Sequence, residues 1–187
     1  MGAQTVIAGL ALLMAAGLLI YFFATENETA DKASNWFFLV FYGLMAWTVV
    51  EVHRVYVEVG GLVWVLTIVG LTALAVLFVG TLLIVLNVID FKEVAMITTG
   101  GFLIVMLWML AISILIVTQG GLPDALGWLG IGVMALSLAV VGVAATDREL
   151  MTGEKTPGPG LNAVYGLILV GLTVWFVWLG AAPVTSL

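Results

Sequence analysis

One stretch, Trp47-Thr48-Val49-Val50-Glu51-Val52-His53-Arg54-Val55-Tyr56-Val57-Glu58, concentrates the groups in this chain that could do chemistry. If a helix continues to Glu58, then Trp47, Glu51, Arg54 and Glu58 recur at steps of four, three and four and share one face. Arg54 would pair with Glu51 one turn before it and with Glu58 one turn after. Ionisable groups this close to an apolar run are expected to be paired, to face a cavity, or to extend toward water. On the functional reading they form a proton or ion relay, or hold a polar substrate, near one mouth of a helix bundle. Glu51 would accept a proton or contact a cation, and Arg54 would orient it. On the plainer reading the helix end simply meets water, and the ion pair is worth about 0–1 kcal/mol.

His53 projects about 200 degrees away from Glu51, toward the other side of such a helix. It could sense pH, supply one axial haem ligand across a dimer, or be an interfacial histidine with no special duty. The run from Val55 to Val59 alternates like a short strand, which leaves the helix boundary open. Elsewhere the chemistry is sparse. His53 is the only histidine and cysteine is absent, so disulfides, thiolate metal sites and multi-histidine sites are excluded within one chain. No cofactor and no metal are expected. No apolar run carries an intramembrane lysine for a retinal Schiff base, and no paired carboxylates or serine–histidine signature support an intramembrane hydrolase. An enzyme is therefore not the expectation.

The elements that must position these residues are set by composition. Of 187 residues, 64% are hydrophobic and 9% charged. A soluble domain is nearer half apolar and a quarter charged, and so small a protein cannot hide that much apolar surface from water. Six apolar runs are long enough to cross about 30 Å of hydrocarbon: 5–25, 36–56, 62–86, 94–118, 125–146 and 161–180. The polar breaks between them read TENETADKAS, VEVHRVYVEVGG, NVIDFKE, QGGLPD and DRELMTGEKTPGPG. All four prolines fall in connections or the tail. The fold class is an all-α integral membrane protein, residues 1–187 forming one bundle of six continuous transmembrane helices with short loops. The third run, at about 37 Å, should be among the longest and should tilt.

Lysine and arginine set the orientation. Connections one, three and five hold Lys32, Lys92, Arg148 and Lys155, and the opposite side holds only Arg54. The positive-inside rule places both termini outside a multi-pass cell-membrane protein. Tyr21, Phe22, Phe23, Trp36, Phe37 and Phe38 would mark one interface, and Tyr56, Trp64, Trp128, Trp175 and Trp178 the other. Trp47 and Trp108 lie deeper, as packed core or cavity lining. The first run lacks a preceding basic residue and reads as a span rather than a signal peptide. Asn27-Glu28-Thr29 matches a glycosylation tripeptide but falls on the cytoplasmic side. Asp90 is placed to cap the fourth helix, with Lys92 as an anchor beside it.

Small residues mark the packing faces: Ala8, Ala11 and Ala15 in the first helix, and Thr99, Met106, Met109 and Ser113 in the fourth. The fifth carries Gly127, Gly130, Met134, Ser137 and Ala144, and the sixth Asn162, Gly166, Thr173 and Gly180. Such faces let helices approach closely, within one chain, in a homo-oligomer or against membrane partners. The formal charge of −6 resides in acidic loops, which repel nucleic acid and anionic head groups and would suit high salt. In size and helix count the chain is similar to the vitamin-binding S components of energy-coupling transporters. Their alanine-every-fourth face is not matched, because Leu12 stands between Ala8 and Ala16, and membership does not follow. Two functional classes remain. One is a transport-type protein (channel, carrier or membrane substrate-binding subunit) acting through the bundle interior; the other is a non-catalytic accessory or scaffold subunit of a larger membrane complex.

Overall fold

The computed structural model describes residues 2–89, 91–146 and 158–183. Six helices carry the fold: α1 Ala3–Thr25, α2 Glu28–Tyr56, α3 Gly61–Val85, α4 Phe91–Gln119, α5 Asp124–Thr146 and α6 Pro159–Ala181. Each is long and apolar enough to cross a membrane, and no strand occurs among the described residues. The chain is a six-helix, multi-pass bundle. The strand-like alternation at the end of α2 forms a short 3-10 turn, Val57–Val59, closed by Gly60 at φ +104.

Local chemistry places the helix ends. The α1–α2 connection is shorter than the polar run TENETADKAS suggested, because most of that run is helical. Glu26 turns the chain in the left-handed region at φ 55. The Asn27 side chain then caps α2, accepting from the Thr29 and Ala30 amides at 3.0 and 3.2 Å. Glu28 and Asp31 occupy the first turn, where the helix dipole favours negative charge. The Asn27-Glu28-Thr29 tripeptide is thus a helix cap. At the α4–α5 turn, Gly120 and Gly121 adopt φ +75 and +80, which side chains with a Cβ rarely accept. Pro159 opens α6 in the first turn, where its missing amide proton is not needed. At 29 residues each, α2 and α4 exceed the 25-residue α3. Asp90, Arg148 and Lys155 lie outside the described residues, and with them the expected cap of α4.

Helices pack in chain order and α6 closes onto α1, so the described backbones form a ring with no two helices packed across it. Glycine permits the close approaches. A Cβ on Gly9 of α1 would lie 2.8 Å from Phe176 Cβ on α6, and one on Gly70 of α3 would lie 2.8 Å from Trp108 Cδ1 on α4. On α5, Gly127 faces the Ser113 carbonyl of α4 and Gly171 of α6 faces Val133. Between α1 and α2, the Thr5 and Thr48 hydroxyls bond at 3.1 Å. Aromatic side chains reach across the ring: Phe41 of α2 meets Phe176 of α6 edge-on at 5.5 Å, and Phe102 of α4 meets Tyr42 of α2 at 6.0 Å. The expected faces mostly hold, with Ala8, Ala11 and Ala15 buried. On α4, Met109 and Ser113 are buried as expected, but Thr98 is buried in place of the exposed Thr99. Gly166 meets no neighbour.

Two glycine substitutions test this packing. In Gly127→Ala the new Cβ would sit 2.7 Å from the Ser113 carbonyl and 2.6 Å from Val117 Cγ2, a backbone clash that cannot be relieved by a rotamer change. Overpacking of this kind costs about 1–3 kcal/mol, so thermal unfolding in detergent should show a lowered Tm. Gly132→Ala, where nothing lies within 4 Å, should leave Tm unchanged or raise it slightly.

Candidate functional site

The charged group at the end of α2 is smaller than its spacing implied. Arg54 Nη1 donates to Glu51 Oε1 at 2.7 Å, with the Arg54 side chain 64% exposed and Glu51 22%. Because the α-helix ends at Tyr56, Glu58 falls in the 3-10 turn, off the expected face, exposed and outside the pair. Trp47 is 49% exposed on the outside of the ring, neither core nor cavity lining. The structure brings Glu51 and Arg54 together and leaves Trp47 and Glu58 apart from them.

His53 turns the other way, into the α2–α3 interface. Its Nδ1 lies 2.9 Å from Thr67 Oγ1, and its ring meets Trp64 edge-on at 4.3 Å. Thr67 donates its one hydroxyl proton to the Val63 carbonyl at 2.7 Å. Its oxygen is therefore the acceptor, and His53 Nδ1 carries the proton. Beside it, the buried Tyr56 hydroxyl donates to the Gly120 carbonyl at 2.7 Å, tying the end of α2 to the α4–α5 turn. Tyr56 is a core residue, not a member of an interfacial belt.

The ring holds a half-open cavity of about 220 Å3. Its walls come from α1, α2, α4, α5 and α6, with Leu12, Phe41, Val105 and Ile168 among them. Three methionines, Met106, Met109 and Met134, lie against it, and Phe102 and Tyr165 stand at its more exposed end. Ser137 is its one aliphatic hydroxyl, and that group is turned back on its own helix, donating to the Val133 carbonyl at 2.8 Å. None of Trp47, Glu51, His53, Arg54 and Glu58 lines this cavity. Along α2, Glu51 lies ten residues beyond the lining Phe41, about 15 Å of helix.

At the end of the cavity nearer the α4–α5 turn lies a polar cluster that sequence spacing does not reveal. Ser113 and Trp175 are fully buried, and neither Ser113 Oγ nor Trp175 Nε1 has a hydrogen-bond partner. Both press on the bare Cα of Gly130, where a Cβ would contact Ser113 Oγ and lie 2.6 Å from Trp175 Nε1. Trp108 Nε1 is a third buried, unpartnered donor, against Gly70. Trp175 was expected at the interface because of its position near a helix end. A usable signal was present: Gly130 and Ser113 had been placed on packing faces, and two small residues facing each other leave room for a third, large one. Comparison of the chain with known protein families, characterised proteins and solved structures finds no match.

The histidine geometry gives a direct spectroscopic expectation. In 15N spectra of histidine-labelled protein with neutral imidazole, His53 should show the Nδ1–H tautomer, and Thr67→Val should remove that preference. Glu51→Gln, which breaks a largely exposed pair, should change unfolding stability by less than about 1 kcal/mol.

Proposed function

We propose that this chain is a transport-type membrane protein of the substrate-binding or carrier kind, which takes a small apolar molecule from the lipid phase into the interior of its helix ring. The supporting observation is the cavity of about 220 Å3 walled by aliphatic, aromatic and thioether side chains. An apolar cavity of about 150 Å3 stays dry and binds benzene, so this one suits a bicyclic hydrocarbon skeleton or a short acyl or isoprenoid segment. Methionines fit such a duty because an unbranched thioether adapts to irregular shapes. A charged substrate would meet no compensating group on these walls, and unpaired charge in such surroundings is strongly disfavoured. Ion conduction through Glu51 and Arg54 draws no support from their position, some turns away from the cavity.

The orientation belongs to the same proposal. With four of the five basic residues on the side of the α1–α2, α3–α4 and α5–α6 connections, we place that side in the cytoplasm of the cell and both termini outside. The accessory-subunit reading has one observation of its own. An outer groove of about 200 Å3 between α2 and α3 is floored by Gly43, Ala46 and Ala75, and small residues of this kind admit a neighbouring helix.

Binding of tetralin, a ten-carbon bicyclic hydrocarbon, to the purified protein in detergent separates the readings. The expected result is saturable binding that Leu172→Trp, at the cavity wall, weakens at least about tenfold with Tm unchanged. Glu51→Gln should bind tetralin as the parent does. No saturable binding, or equal binding by the Leu172→Trp variant, would overturn the proposal. Loss of binding in Glu51→Gln would return the charged pair to the site.

A further inference from the structure

We propose that the cavity's ligand carries a neutral carbonyl group, and that Ser113 Oγ and Trp175 Nε1 are the two donors that recognise it. This rests on the apolar-ligand reading and adds its polar end. Three observations lead here. The first is position. Ser113 follows the cavity residue Met109 by four along α4, and Gly130 precedes Met134 by four along α5. Trp175 adjoins Phe176 on α6. Because α5 runs opposite to α4, the first two steps lead toward the same end of the ring by about one turn, or 5.4 Å, and Trp175 lies at that end of the cavity's α6 wall, between Leu172 and Phe176.

The second is convergence. Ser113 Oγ and Trp175 Nε1 come from two helices that do not pack on each other, yet both reach the same bare Cα of Gly130 on the helix between them.

The third is that their hydrogen-bonding capacity is unused. The other hydroxyls inside the bundle bond to their own helix or a neighbour: Ser137 to Val133, Thr173 to Leu169, Thr67 to Val63, and Thr5 with Thr48. A buried donor left unmade costs about 1–3 kcal/mol, and inside a bilayer water is not at hand to relieve it. An indole N–H only donates, and a serine hydroxyl can donate. The complementary group is an oxygen with two lone pairs, which a carbonyl supplies. An anion is unsuitable, since no cationic side chain lines the cavity. Met109 and Met134, the cavity residues one turn from Ser113 and Gly130, have flexible side chains that can move to let the oxygen reach the two donors.

The experiment compares tetralin with 1-tetralone, which has the same skeleton with one carbonyl added, binding to the full chain in detergent. The parent protein should bind 1-tetralone about tenfold more tightly than tetralin, with the ketone's infrared carbonyl stretch shifted down in the bound state. Ser113→Ala and Trp175→Phe should each remove most of that preference while binding tetralin within about twofold of the parent. Equal affinity for the two probes, or an unshifted carbonyl stretch, would overturn carbonyl recognition and leave the apolar cavity standing. A preference that survives in both variants would overturn the assignment to Ser113 and Trp175. If neither probe binds the parent, the cavity reading and this inference fall together.

Discussion

Helix-to-helix contact at distances only glycine allows is the interaction on which this architecture depends. In lipid the hydrophobic effect does not draw apolar helices together, because the tails are as apolar as the side chains. What remains is van der Waals contact, hydroxyl bonding and the exclusion of lipid. Gly9 and Gly180 bring α1 against α6, Gly70 admits the Trp108 ring between α3 and α4, Gly127 sets α5 on the backbone of α4, and Gly171 sets α6 on Val133. The first two contacts named close the ring, which would otherwise be an open sheet of helices with its ends in lipid.

A ring packed only between neighbours has an interior that backbone does not fill. Side chains must fill it, and aromatic rings have the reach to do so. Phe41 meets Phe176 and Tyr42 meets Phe102 across it at ring separations of 5.5 and 6.0 Å, in the edge-on arrangement that ring quadrupoles favour. The filling is incomplete where methionines line the wall, and that is where the cavity lies. Functional capacity and structural closure therefore share one origin. The interior is apolar because the helices carry little else, and two of its three unpartnered polar groups stand where three helices crowd around one glycine.

The charged end of α2 stands apart from the cavity. Arg54 reaches outward while holding Glu51, as a long cationic side chain does at a membrane edge. His53 and Tyr56 hold α2 to α3 and to the α4–α5 turn through one hydrogen bond each. These contacts tie the end of α2 to its neighbours.

Six continuous helices, each long and apolar enough to cross a membrane, were legible in the chain, since they follow from composition and run length. The i,i+3 pairing of Glu51 with Arg54 was legible too, because helical geometry alone determines it. Helix ends were less so: the reading placed the start of α2 at Trp36, while the Asn27 cap, a local hydrogen bond that hydropathy does not record, starts it at Glu28. Tyr56 and Trp175 look in sequence like members of an interfacial belt, and Trp47 like a deep residue, because depth along a helix can be counted but rotation toward a neighbour cannot. Only the closing of the ring decided which way each faces. Only the tertiary structure placed Ser113, Gly130 and Trp175, far apart in the chain, around a single point, since that convergence depends on three helices crossing at one level.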